Sequence, residues 1–111
     1  MPFVNEAERR VAEALNSLRV RWEYEPTLFV FERDDLGNCT HGFTPDFYLP
    51  RQDLYLEVTE QKILTPKNGK LRMLRTHYPD VRCALLTKKE VRDPELRRIL
   101  LETVRKFRKP G

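Results

Sequence analysis

The sequence predicts an α/β (α+β) domain in which a mixed central β-sheet is flanked by helices. Three observations lead there. Apolar residues recur at three-to-four spacing near both ends of the chain, β-branched and aromatic runs with two-residue alternation fill the middle, and one short continuous apolar run stands between two helical patterns. The element order reads α-β-β-β-β-α-β-α. At 111 residues the chain has the length of one domain, 1–111, and 40% hydrophobic residues are enough for a packed core.

The first helix is predicted over 4–18, where Val4, Ala7, Val11, Ala14, Leu15 and Leu18 form one stripe. Residues 20–24 and 27–32 read as strands joined at Glu25-Pro26. Asp34-Asp35-Leu36-Gly37-Asn38 has turn composition, so 28–33 and 40–49 are expected to form a hairpin that Pro50 closes. Over 53–61 the residues alternate, with Leu54, Leu56 and Val58 on one face and Asp53, Tyr55, Glu57 and Thr59 on the other. Thr65-Pro66 opens a helix that should run to about His77, burying Leu71, Leu74 and Tyr78. Residues 81–87 are almost continuously apolar, as in a strand buried on both faces of a sheet. Asp93-Pro94-Glu95 then starts a helix whose core stripe is Leu96, Ile99, Leu100, Val104 and Phe107.

The net charge of +4 conceals an asymmetry: residues 1–61 carry 6 Lys/Arg against 12 Asp/Glu, and residues 62–111 carry 15 against 5. A basic back half suggests a polyanionic partner, and an acidic front half offers carboxylates for a metal ion or for pairing within the chain. A salt-bridged, solvated surface would have the same composition. No apolar run nears the roughly 20 residues that a membrane helix needs, and the start of the chain lacks a secretory pattern, so no membrane partner and a cytoplasmic location are expected. Cys39 and Cys83 are expected to be free thiols.

The informative stretch is Gly42-Phe-Thr-Pro-Asp46-Phe-Tyr-Leu-Pro50, followed by Asp53-Leu-Tyr-Leu-Glu57-Val-Thr59. Strands on either side of a short turn would bring Asp46 and Glu57 together, and two carboxylates make a hard-oxygen site suited to Mg²⁺. Alternatively, both face solvent or pair with arginine.

These residues resemble the PD-(D/E)XK nuclease superfamily, whose members have a restriction-endonuclease-like core. Pro45-Asp46 is similar to its first motif and Glu57 to the acidic residue of its second. Trp22-Glu-Tyr-Glu-Pro26 is similar to a stretch in many relatives, and the order of elements agrees over nearly the whole chain. The resemblance implies a Mg²⁺- or Mn²⁺-dependent hydrolase of phosphodiester bonds acting on nucleic acid, with DNA the expected substrate. It also implies a third carboxylate from the first helix, where Glu6, Glu8 and Glu13 are available. Helix geometry puts Glu8 at the rim of the apolar stripe and turns the other two away, although a rim glutamate paired with arginine is the alternative. Glu8, Asp46 and Glu57 would then hold the metal.

The family usually has lysine where this sequence has Thr59. Glu60-Gln61-Lys62 restores the acid-x-lysine spelling three residues late, so Lys62 and Lys67, with Lys70 behind them, are the candidates to position the attacking water. Lys67, Lys70, Arg72 and Arg75 on the following helix would contact nucleic-acid phosphate, and a homodimer is compatible with so small a footprint on duplex. Two other readings stand beside the nuclease: a nucleic-acid-binding module that keeps the fold without catalysis, and a structural partner in a larger complex. Cys39-Thr-His41 with His77 and Cys83 is a weaker zinc spelling. Trp22, Tyr24, Phe29 and Phe31 are expected to pack in the core rather than stack on bases.

Overall fold

The computed structural model describes residues 5–59 and 66–107, with the side chains of all of these except 66–68. Helix α1 (Glu6–Ser17) starts at Asn5, whose side-chain oxygen accepts from the Glu8 N–H and so satisfies one of the orphan donors of the first turn. Five strands follow: β1 (Glu23–Tyr24), β2 (Phe29–Arg33), β3 (Cys39–Phe43), β4 (Phe47–Leu49) and β5 (Leu54–Thr59). Helix α2 (Pro66–His77) crosses to β6 (Cys83–Thr87), and α3 (Lys88–Arg92) and α4 (Leu96–Lys106) complete the described chain.

The main sheet has the order β1-β4-β5-β6, with β5 and β6 parallel and the other pairs antiparallel, so it is mixed as predicted. Strands β2 and β3 form a separate antiparallel hairpin. One face of the main sheet packs Leu56, Val58 and Leu86 against Val11 and Leu15 of α1 and Leu100 of α4. On the other face, Phe29, Phe31 and Phe43 of the hairpin and Leu71 and Leu74 of α2 close over Cys83 and Tyr55. The helices on both faces therefore sandwich β5 and β6, and β6 carries the nearly continuous apolar run expected of a strand covered on both sides.

The structure differs from the sequence reading in four places, each with a local cause. The hairpin arm expected over 40–49 is divided, because Pro45 offers no N–H to a ladder and fixes its own φ, and the chain leaves one sheet at Phe43 and joins the other at Phe47. The strand expected over 20–24 shrinks to Glu23–Tyr24, since the Val20 N–H still donates back to the Leu15 carbonyl at 2.9 Å as part of the end of α1. The extra helix α3 begins with a capping box in which Thr87 and Glu90 each satisfy the other's backbone N–H. Finally, the polar face of β5 is buried, with Tyr55 packed against the hairpin and α2 and Glu57 and Thr59 only 3% and 2% exposed.

Candidate active site at the Asp46 and Glu57 pair

The β4–β5 register pairs Phe47 with Leu56, so the preceding residue, Asp46, stands opposite Glu57. The two side chains are bound reciprocally into the backbone. The Asp46 N–H donates to Glu57 Oε1 at 3.1 Å, and the Val58 N–H donates to Asp46 Oδ2 at 2.8 Å. Where the chain has just crossed between sheets, these side-chain acceptors take donors that would otherwise be stranded indoors. The Glu25 N–H, reaching from the other side, donates to the Asp46 carbonyl at 2.9 Å, with Glu25 itself held at φ 46°. Asp46 is thus gripped between the end of β1 and β5, and the residue is 8% exposed.

The neighbouring strand brings further chemistry. Parallel pairing aligns Tyr55 with Cys83, Glu57 with Leu85 and Thr59 with Thr87. Burial pushes the Cys83 thiol far above its ordinary range, and the negative charges of Glu57 and Asp46 push it further, against an opposing pull from the Arg75 guanidinium. The two carboxylates, the thiol and Arg75 therefore share one electrostatic neighbourhood.

Glu8 lies on the α1 side and is 6% exposed. It accepts from Asn5 Nδ2 at 2.9 Å and from the Tyr24 hydroxyl at 2.5 Å. Tyr24 pairs with Phe47 in the β1–β4 ladder and packs edge-on against its ring at 5.7 Å, which ties the glutamate to the strand that starts next to Asp46. Asp46 and Glu57 are brought together, whereas no group of three or more His, Cys, Asp or Glu is placed to hold one metal ion among the described residues.

Thr59 is buried on the Glu57 side of β5. Lys62 lies outside the described residues, as does the side chain of Lys67, whose backbone belongs to the first turn of α2. Lys70, Arg72 and Arg75 are exposed along the same helix. The zinc spelling does not assemble into a metal-holding group among the described residues: Cys39 is exposed, Cys83 is buried, and each histidine ring packs on Phe31, at 5.8 Å for His41 and 5.2 Å for His77. Trp22 packs against Phe47 at 5.5 Å and donates its indole N–H to Asn16, and Phe29 and Phe31 fill the second core, so these rings serve packing. Two participants escape the sequence reading, Tyr24 as a donor to Glu8 and Cys83 as a neighbour of the acids. Alternation along β6 would have put Cys83 on the Leu85 and Thr87 face, but only the parallel register reveals what that face meets.

No protein-family model matches the chain, and no curated protein matches it. Among solved structures, the chain is similar to the catalytic domain of the homing endonuclease I-Bth0305I. The likeness covers 93% of this chain and 93% of that one, with a TM-score of 0.55 and 21% sequence identity. The two share a fold, which in this chain is a mixed sheet flanked by helices. No helix of the described residues is long and apolar enough to cross a membrane.

Proposed function

We propose that this chain is a divalent-metal-dependent nuclease of the PD-(D/E)XK type that hydrolyses phosphodiester bonds in DNA. The observation that carries the reading is the buried, reciprocally bonded pair Asp46 and Glu57. Burying two carboxylates side by side is costly unless a cation or donors meet them, and an all-oxygen pair suits Mg²⁺ or Mn²⁺. The shared fold with an endonuclease catalytic domain supports the same reading.

In this reading Asp46 and Glu57 hold the ion, while Glu8, fixed by Tyr24 on the α1 side, is not grouped with them and would reach the ion only through water or substrate. The bound cation supplies charge neutralisation at the phosphate and a lowered pKa for its water. Lys62 or Lys67 orients the attacking water, and Lys70, Arg72 and Arg75 hold flanking phosphates along α2. The two thiols, free in the structure, suit a reducing cytoplasm, and pairing of two chains would extend the footprint on duplex. A second reading, a nucleic-acid-binding module without catalysis, is favoured by the buried Thr59 where the family has lysine.

The experiment that separates them incubates plasmid, single-stranded and branched DNA, and RNA, with Mg²⁺ or Mn²⁺. The parent is compared with Glu57→Ala, Lys62→Ala, Lys67→Ala and Lys70→Ala. Loss of cleavage in Glu57→Ala and in one lysine variant, with binding retained, supports the nuclease and identifies the cation donor. Salt-sensitive binding without cleavage of any substrate supports the binding module, and cleavage unchanged in Glu57→Ala refutes the assignment of the acids. In calorimetry, Asp46→Asn should lose the weak metal binding of the parent.

A further inference from the structure

Strand β6 ends the main sheet, and nothing among the described residues pairs with its outer side. Its hydrogen-bonding parity follows from one bond: the Tyr55 N–H donates to the Arg82 carbonyl at 2.9 Å. Successive residues of a strand point their N–H and C=O groups to opposite edges, so Arg82, Ala84 and Leu86 face β5, while Cys83 and Leu85 face outward. Thr87, the next outward residue, gives its N–H to Glu90 Oε1 at 2.9 Å. What is left open is a donor and an acceptor on each of Cys83 and Leu85, in a strand whose residues are otherwise buried or half-buried.

This edge forms the floor of a groove of about 1040 Å³ between α2 on one face of the sheet and α4 on the other. Leu71 and Ile99 contribute apolar wall. The charge of the walls is one-sided. Arg98 is paired with Glu102 at 2.8 Å, and Glu90 is engaged by Thr87, whereas Arg72, Arg75 and Lys106 face no carboxylate within ion-pair distance among the described residues.

We infer that the groove receives an extended acidic peptide segment of a partner protein, which adds to β6 as a further strand. An extended chain offers the alternating donors and acceptors that Cys83 and Leu85 require, and its acidic side chains would meet Arg72, Arg75 and Lys106. A nucleic-acid backbone offers phosphate acceptors only, so it would set anionic oxygens against the two outward carbonyls. A second copy of the chain would bring the same excess of cations against this one. The residues after Phe107 include Arg108 and Lys109, of the wrong sign to fill the groove.

The test uses the full chain and fluorescence anisotropy with a labelled octapeptide of alternating glutamate and valine, capped at both ends. An otherwise identical peptide carries lysine in place of glutamate. Two more acidic peptides are N-methylated at either every glutamate or every valine, because in an added strand only one of these sets points its N–H groups at β6. The acidic peptide should bind at least about tenfold more tightly than the basic one, and one N-methylated series should lose about tenfold while the other keeps its affinity. Leu85→Pro, which deletes an outward N–H and no bond to β5, should weaken binding about as much, and charge reversal on the wall that the glutamate face meets, either Arg72→Glu with Arg75→Glu or Lys106→Glu, should weaken it severalfold. If Leu85→Pro fails to fold, the N-methylated peptides still decide. Equal binding of both N-methylated peptides, or of the basic peptide, would overturn the inference. So would self-association that Leu85→Pro abolishes, which would assign the edge to a second copy. Oligothymidylate is left out of the decisive arms, because Arg72 and Arg75 serve both partners and competition at them is expected whichever occupant β6 takes. None of these readouts involves metal or cleavage, so the nuclease reading can fail without affecting them.

Discussion

Replacing Tyr24 with phenylalanine deletes one hydroxyl and leaves the ring on Phe47, which makes it a clean probe of how Glu8 is held. The hydroxyl donates to Glu8 Oε1 at 2.5 Å, and the glutamate is 6% exposed, so solvent cannot readily replace the lost donor. A hydrogen bond to a carboxylate in such surroundings contributes about 1.5–3 kcal/mol. Asn5 Nδ2 at 2.9 Å remains as a second donor, which limits the loss and puts the expected destabilisation at about 2 kcal/mol. With an m-value of about 1–3 kcal/mol per molar urea for a small domain, the unfolding midpoint should fall by about 1 M with the slope unchanged. A double-mutant cycle with Glu8→Ala should return a coupling of more than about 1 kcal/mol. A midpoint shift corresponding to less than about 0.5 kcal/mol, or a cycle without coupling, would refute the claim that Tyr24 fixes Glu8.

Gly42 leaves no room for a methyl group: a Cβ there would stand 2.9 Å from the Phe29 carbonyl oxygen and 3.0 Å from Cys39 Sγ. Gly42→Ala should therefore cost about 1–3 kcal/mol in urea unfolding by forcing β2 and β3 apart. A thiol reagent should titrate one cysteine in the native protein, the exposed Cys39, and two after denaturation, because burial and the nearby acids keep Cys83 in its unreactive protonated form. Burial and the hydrogen bond to Asp53 raise the Tyr48 phenol to about 12, against 10.0 for an unperturbed tyrosine. The native state thus favours the neutral phenol, a contribution fully present below pH 10 and lost as pH rises from 10 to about 12, so stability should decline over that window and the decline should flatten in Tyr48→Phe.

The pairing of Asp46 with Glu57 in the candidate site was legible because its information is local. Pro45, Asp46 and Glu57 lie within one strand-turn-strand unit, and period-two alternation is enough to orient their side chains. The helices α1, α2 and α4 were legible for a similar reason, each having an apolar stripe and α2 also a proline start. Sequence pattern fails where distant segments decide. Alternation distinguishes the two faces of β5 but not whether a second layer covers the polar one, where the hairpin and α2 pack on Tyr55 and Cys83 and where Glu57 and Thr59 are buried. The partnership of Tyr24 with Glu8 spans 16 residues and depends on the β1–β4 register, which no local rule supplies. The capping box of α3 was spelled out as Thr87-Lys88-Lys89-Glu90, yet a five-residue helix has no room for the apolar periodicity by which helices are recognised.

The reciprocal bonds at Asp46 and Glu57 also give the protein two internal reporters. The amide protons of Asp46 and Val58 each lean on a carboxylate oxygen of the candidate site rather than on a ladder carbonyl. A ligand that draws charge from Glu57 Oε1 or Asp46 Oδ2 must weaken those bonds, so the two amide resonances should move in step during a titration, even where the cation itself is spectroscopically silent. Their exchange with solvent deuterium should respond in parallel, letting site occupancy be read from the backbone, one residue at a time, without a substrate and without turnover.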